Sequence, residues 1–131
     1  MIWGYWGQEF PALDEYDTIL GFNEPNHVDQ SNLSPEQAAI GWMELQAAYP
    51  DKTLVSPSAS PGSYHPEDWF EEFFEICEAL GCRIDYLGIE RLLFTFNFTD
   101  IVLATHAYSG NAQHDMDYLN NLYQRLERFD D

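Results

Sequence analysis

The sequence predicts an α/β fold with parallel strands, and three observations support this prediction. Short continuous apolar runs alternate along the chain with longer amphipathic segments, as in folds that alternate strands and helices. The apolar runs are not interrupted by polar residues, which is typical of parallel strands buried on both faces. The 131 residues, of which 45% are apolar and 16% aromatic, suffice for one domain with a packed core.

The first predicted strand covers residues 18–22, and a helix follows it after a polar loop. Ser34 can cap this helix, Pro35 suits its first position, and Gln37 completes a capping box. Pro50 closes the segment, because proline cannot continue a helix. The apolar positions that recur on one helical face, and that we predict to be buried, are Ala38, Trp42, Leu45 and Tyr49.

The same pattern then repeats. A second strand is predicted at residues 53–56 and a second helix from Pro66 to a stop at Gly81. A third strand begins at residues 84–87, and a last helix covers residues 115–129. The predicted buried stripe of the second helix consists of Trp69, Phe70, Phe73, Phe74, Cys77 and Leu80.

The charge balance restricts the class of partner. The chain has 23 acidic and five basic residues, a formal net charge of −18 at pH 7. Such a surface repels phosphate backbones and anionic lipids, so we expect neither nucleic acid nor a membrane as partner. A neutral polysaccharide meets no such repulsion. The alternative is that the acidic surface only confers solubility.

The two cysteines, Cys77 and Cys82, are close enough for a local disulfide but are equally compatible with two thiols. Without clustered histidines they make a weak zinc site, so we predict no metal and no cofactor. The sequence shows no signal-peptide pattern and no apolar run of membrane-spanning length, so the chain is either cytosolic or lacks its true N-terminus. Two glycosylation sequons, Asn32-Leu33-Ser34 and Asn97-Phe98-Thr99, are motifs short enough to arise by chance.

Polar residues follow the apolar runs, and in parallel α/β folds the chemistry lies at these strand ends. Glu24 comes just after the first strand and could donate the proton that glycosidic cleavage requires. Asn23 beside it offers an amide that can bond a sugar hydroxyl. The alternative is that Asn-Glu-Pro is an ordinary polar turn. We expect Ser56 and Ser58, and His106 with Tyr108, which follow the other apolar runs, to share one face of the sheet with Asn23 and Glu24. The aromatic side chains available to a sugar site are Trp3, Tyr5, Trp6 and Tyr108.

Several stretches together resemble one family. They are MIWG at 1–4, LGFNEPNH at 20–27, QSNLSPEQAA at 30–39, VSP at 55–57, Trp69-Phe70 with Phe73, and His106-Ala107-Tyr108. In this order they resemble the glycosyl hydrolase catalytic-core family, glycoside hydrolase family 128, whose studied members cleave β-1,3-glucans and fold as TIM barrels.

The resemblance implies that residues 1–131 form a single partial catalytic domain, the central strand-helix units of a (β/α)8 barrel. It implies Glu24 as the acid/base and Asn23 as its sugar-contacting neighbour, with His106 and Tyr108 lining the cleft. It also implies a retaining hydrolase of β-glucan, secreted or associated with the cell wall.

Two departures from the family modify that expectation. A TIM barrel needs about 250 residues, and the Thr-Glu pair that carries the family's nucleophile does not occur in this sequence. We therefore expect a fragment without its nucleophile, or else a carbohydrate-binding pseudoenzyme or an α/β domain in which Glu24 is incidental. Residues 88–103 resemble nothing in the family and represent either a translated intron or a genuine insertion that forms an extra strand or hairpin.

Overall fold

The strands and helices follow the predicted alternation. A computed structural model of the protein describes residues 1–60, 66–90, 101–104, 120, 121, 124 and 125. Its elements, in chain order, are β1 (Thr18–Leu20), α1 (Pro35–Ala48), β2 (Thr53–Val55), α2 (Pro66–Leu80), β3 (Leu87–Glu90) and β4 (Ile101–Ala104). The α/β class is confirmed. Most of the last predicted helix, residues 115–129, lies outside the described residues, but the four described positions within it are helical.

Both strand pairs among the described residues are parallel, and neighbours in space are neighbours along the chain. β1 pairs with β2 in the register Leu20 to Val55, and β3 pairs with β4. A bridge between Val55 and Tyr86 joins the two pairs. On the other side of β1, the amide of Ile2 donates to the carbonyl of Leu20 at 2.9 Å. β1, β2 and β3 follow one another with α1 and α2 between them, as successive βα units do. The full barrel stays a prediction.

The suspected insert at residues 88–103 contains most of two paired strands. β3 lies at its beginning and β4 at its end, and the two strands run parallel, with Gly88 opposite Val102. Parallel neighbours require a crossover rather than a tight hairpin turn. The origin of the insert stays a hypothesis that transcript sequence can test.

Helix α1 begins where the sequence predicts. The hydroxyl of Ser34 accepts a hydrogen bond from the Gln37 amide at 3.1 Å, and the Gln37 side chain accepts one from the Ser34 amide at 2.9 Å. This reciprocal pair is the predicted capping box, with Pro35 in the first turn. The four positions predicted to face the core, Ala38, Trp42, Leu45 and Tyr49, are all buried.

A series of aromatic rings joins β1, α1 and α2. Trp42 packs edge-on against Phe22 at 6.1 Å and against Phe73 at 6.2 Å between ring centroids. Gly21 makes this approach possible, because a Cβ there would lie 2.6 Å from the Trp42 ring and 2.8 Å from the nitrogen of Pro57. Such overlaps force side chains or backbone to shift, so only glycine lets β1 lie this close to α1.

Helix α2 buries most of its predicted stripe, but one assignment is wrong. Trp69, Phe70, Phe73 and Cys77 are buried and Phe74 is partly buried, whereas Leu80 is 44% exposed. Leu80 is the last residue of the helix, and Gly81 takes a positive φ of 76°, so the chain turns away there.

No helix among the described residues is both long and apolar enough to cross a membrane.

Charged side chains attach the last helical segment to α2. Arg125 pairs with Asp68 at 2.7 Å and also with Glu71. Glu71 is only partly exposed because it lies against Arg125. The hydrogen bonds that Arg125 donates, first to Glu71 and then to Asp68, raise its pKa above the usual value.

The structure resolves the cysteine alternatives in favour of a disulfide. Cys77 and Cys82 are bonded, with their Cα atoms 4.9 Å apart. The amide of Cys82 also donates to the carbonyl of Cys77 at 2.9 Å. The bond therefore closes the turn that leads from α2 towards β3.

We predict that Cys82→Ser lowers the free energy of unfolding by about 2 kcal/mol, because a short cross-linked loop restricts the unfolded chain. Urea unfolding of the protein and the variant, each with and without reductant, measures this. Reductant should destabilise the natural chain by a similar amount and leave Cys82→Ser unchanged. Equal stability of the natural chain with and without reductant would contradict the prediction.

Candidate active site

Glu24 lies in a fixed turn at the carboxyl end of β1. Its backbone takes a positive φ of 39°, which is uncommon for a residue with a side chain. The Glu24 amide donates to the Ser58 carbonyl, and the Glu24 carbonyl accepts from the His27 amide, both at 2.9 Å. A backbone in a sparsely populated region persists only where its surroundings hold it, and such residues cluster at functional sites.

The side chain of Asn26 joins this turn to the loop that follows β2. Its amide nitrogen donates to the Ser60 carbonyl at 2.9 Å, and its amide oxygen accepts from the Ser60 amide at 2.7 Å. Both residues are buried. The two hydrogen bonds satisfy backbone groups that would otherwise lie unpaired in the protein, so they hold the loops after β1 and β2 together.

Asn23 is held beside Glu24 by both its backbone and its side chain. Its amide group donates to the side-chain oxygen of Gln30 at 3.0 Å, and its backbone amide donates to the Trp3 carbonyl at 2.9 Å. Asn23 also forms a parallel bridge with Ser58. The side chain therefore has a set orientation at the strand end. Sequence reasoning gave Gln30 no role, although it opens one of the family-like stretches.

Trp3 and Trp6 lie on the loop that precedes β1, and both are strongly exposed, at 50% and 65%. The side chain of Gln8 folds this loop: it accepts from the Trp6 amide at 2.6 Å and donates to the Gly4 carbonyl at 2.8 Å. A Cβ on Gly4 would lie 2.7 Å from the Trp6 ring. The ring therefore rests against the loop backbone and leaves much of its surface open to solvent.

Tyr5 anchors this loop to α1. A Cβ on Gly41 would lie 2.5 Å from the Tyr5 ring, so the ring occupies the space that a larger helical residue would fill. The Tyr5 hydroxyl donates to the carboxylate of Glu44, and this hydrogen bond is the main reason that the pKa of Tyr5 is raised above 10.0. The two tryptophans thus lie on a loop that is fixed on both sides.

The serines after β2 have structural contacts. The Ser56 hydroxyl donates to the Pro57 carbonyl and accepts from the Gly88 amide, both at 2.9 Å, and the residue is only 1% exposed. A Cβ on Gly88 would lie 2.6 Å from the Ser56 carbonyl oxygen. Ser56 therefore joins β2 to β3 through buried hydrogen bonds.

Backbone contacts bring Trp3, Asn23 and Glu24 together, while His106 and Tyr108 lie outside the described residues.

A depression opens at the amino end of β2, away from Glu24, where Arg83 donates to Asp85 at 2.9 Å and to the Tyr49 carbonyl at 3.1 Å. We regard it as structural, because Arg83 is occupied by these bonds. It is lined by Pro50, Asp51, Lys52, Thr53, Arg83, Asp85 and Tyr86.

Residues 1–129 match a family described as the glycosyl hydrolase catalytic core. No curated protein sequence matches the chain.

Solved structures of glycoside hydrolase family 128 share the fold. A subgroup I endo-β-1,3-glucanase from Amycolatopsis mediterranei, in complex with laminarihexaose, is 28% identical with a TM-score of 0.59, over 83% of this chain and 40% of that one. A subgroup III curdlan-specific exo-β-1,3-glucanase from Blastomyces gilchristii, in complex with glucose, is 25% identical with a TM-score of 0.61, over 86% of this chain and 43% of that one. The chain thus spans less than half the length of these relatives.

We predict that Asn26→Ala lowers the free energy of unfolding by about 2 to 4 kcal/mol, because it leaves both buried backbone groups of Ser60 unpaired. Chemical unfolding monitored by far-UV circular dichroism measures the loss. Val28→Ala is the matched control, since Val28 is 57% exposed on the same loop, and it should change stability by less than about 0.5 kcal/mol. Equal effects of the two substitutions would contradict the role given to Asn26.

Proposed function

The chain belongs to the glycosyl hydrolase catalytic-core family, and from that membership we propose that residues 1–131 form the acid/base part of a retaining β-1,3-glucanase. The observation that carries the proposal is the turn at the end of β1, where Glu24 and Asn23 are held beside the loop of two exposed tryptophans. A carboxyl group that acts as the acid, an amide and exposed aromatic faces are among the groups that a sugar-cleaving site uses.

In the proposed reaction the Glu24 carboxyl group protonates the glycosidic oxygen as the bond to the anomeric carbon breaks. A second carboxylate, about 5 Å away, attacks that carbon from the opposite face and forms a glycosyl-enzyme ester. Glu24, now a carboxylate, takes a proton from water, which hydrolyses the ester and releases the sugar. Asn23 bonds a hydroxyl of the sugar next to the scissile bond and orients it.

We propose that the nucleophile of this reaction is not among the 131 residues. The family's Thr-Glu pair does not occur in the sequence. The first of the solved relatives is also more than twice as long as the matched region, which covers 40% of it. In this proposal β1, β2 and β3 belong to consecutive central strands of a (β/α)8 barrel, and these residues alone do not hydrolyse glucan.

A neutral β-1,3-glucan is the proposed substrate. The Amycolatopsis enzyme was solved with laminarihexaose, laminaritriose and laminaripentaose. Here, the net charge of −18 disfavours anionic ligands and imposes no penalty on a neutral glucan. Trp3 and Trp6 present ring faces for the sugar, and we propose His106 and Tyr108 as further cleft residues. The substrate also implies a protein that is secreted or associated with the cell wall.

A carbohydrate-binding pseudoenzyme is the second candidate. It is favoured by one observation, namely that the sugar-contacting groups are present while the Thr-Glu pair is missing from the sequence. In this second candidate the ligand and the cleft are the same as in the first, but Glu24 transfers no proton.

We predict that the 131-residue chain binds laminarihexaose but releases no reducing sugar from laminarin. Trp6→Ala should weaken binding about tenfold, because one aromatic contact is worth about 1.4 kcal/mol. Isothermal titration calorimetry and a reducing-sugar assay measure the two effects. The matched control is Tyr16→Ala. Tyr16 is another aromatic residue with 58% of its surface exposed, and it lies just before the amino end of β1, whereas Glu24 follows the carboxyl end.

Two results would contradict this proposal at separate points. Hydrolysis of laminarin by the 131 residues would refute the missing nucleophile. Binding that is lost equally in Trp6→Ala and Tyr16→Ala, or that is absent from a folded chain, would refute the glucan cleft.

A further inference from the structure

We infer that Asn32 is an acceptor for an N-linked glycan, and that the protein folds in an oxidising secretory compartment. The sequon Asn32-Leu33-Ser34 has a residue other than proline in its middle position, as glycosylation requires. The sequence alone gives this motif little weight. The fold adds two independent observations, which are the exposure of Asn32 and the pairing of the cysteines.

The backbone around the sequon leaves Asn32 accessible to solvent. Asn32 is exposed, and its positive φ of 48° is a conformation that asparagine tolerates better than most residues. Its neighbour Leu33 is 5% exposed and donates its amide to the Pro25 carbonyl at 2.8 Å. The middle residue of the sequon therefore fixes the loop, while the acceptor stays on the surface, where a bulky glycan causes no loss of packing.

The disulfide indicates the compartment in which the protein folds. The chain has two cysteines, and they form one bond that leaves no free thiol. Disulfides form and persist in oxidising environments such as the secretory lumen and are rare where thiols are kept reduced. N-linked glycans are a mark of secreted proteins. A surface sequon and a disulfide in the same chain therefore point to one environment.

The position of Asn32 relates the glycan to the candidate active site. The residues on either side of it are tied to the acid/base turn: the Ser31 amide donates to the Asn23 carbonyl at 3.2 Å, and the Leu33 amide donates to Pro25. A glycan on Asn32 thus extends from the loop that carries Asn23 and Glu24. This inference stands apart from the proposed function, because it requires neither glucan binding nor hydrolysis.

The test is expression of the full chain, behind a signal peptide, in a eukaryotic secretory host. All variants carry Asn97→Gln, which removes the other sequon. We expect a mass shift that peptide-N-glycosidase removes, with Asn32 converted to aspartate in the peptide map. Asn32→Gln should abolish the shift.

Ser34 also caps α1, so its variants separate glycosylation from folding. Ser34→Asp keeps a capping side chain but destroys the sequon, and it should lose the glycan while retaining the helix. Ser34→Thr keeps both and should retain the glycan. An Asn97→Gln chain that carries no glycan, or a shift that persists after Asn32→Gln, would overturn the assignment. Free thiols at both cysteines in the secreted, unreduced protein would overturn the proposed compartment.

Discussion

The candidate site depends on the pair of hydrogen bonds between the Asn26 side chain and the Ser60 backbone. These bonds join residues 34 positions apart and hold the loop after β1 to the loop after β2. With the backbone bond from Glu24 to Ser58, they fix a left-handed turn that the chain would not adopt by itself. Because the turn is fixed, the backbone of Asn23 and Glu24 keeps one conformation at the end of the strand, which a preorganised site would require.

The core beneath this turn is built so that the strand ends stay in place. The T-shaped contacts of Trp42 with Phe22 and Phe73 connect the sheet to both long helices. Gly21 permits this contact from the strand side, and Gly41 accepts the Tyr5 ring on the helix. One helix, α1, therefore positions both the turn that carries Asn23 and Glu24 and the loop that carries Trp3 and Trp6. The two parts of the proposed sugar site pack against the same helix.

Sequence reasoning succeeded where the determinants are local and failed where they are distant. The capping box of α1 involves residues three apart, so the motif predicted the start of the helix. The Asn26–Ser60 and Asn23–Gln30 bonds depend on loops that meet only in the fold, and no spacing indicates them. Leu80 was placed in the buried stripe because helical periodicity ignores where a helix ends. Spacing left the cysteine pair open, because it does not fix the distance between two thiols.

We propose that Glu24 donates a proton in a site whose nucleophile is not among the 131 residues. The decisive measurement supplies formate or azide to the 131-residue chain together with an aryl β-laminaribioside whose phenol is a poor leaving group. The small anion attacks the anomeric carbon, and Glu24 protonates the departing phenol oxygen. We expect anion-dependent phenol release that Glu24→Gln slows by about a hundredfold or more. Equal release by the protein and by Glu24→Gln, or none by a chain that binds the sugar, would contradict it.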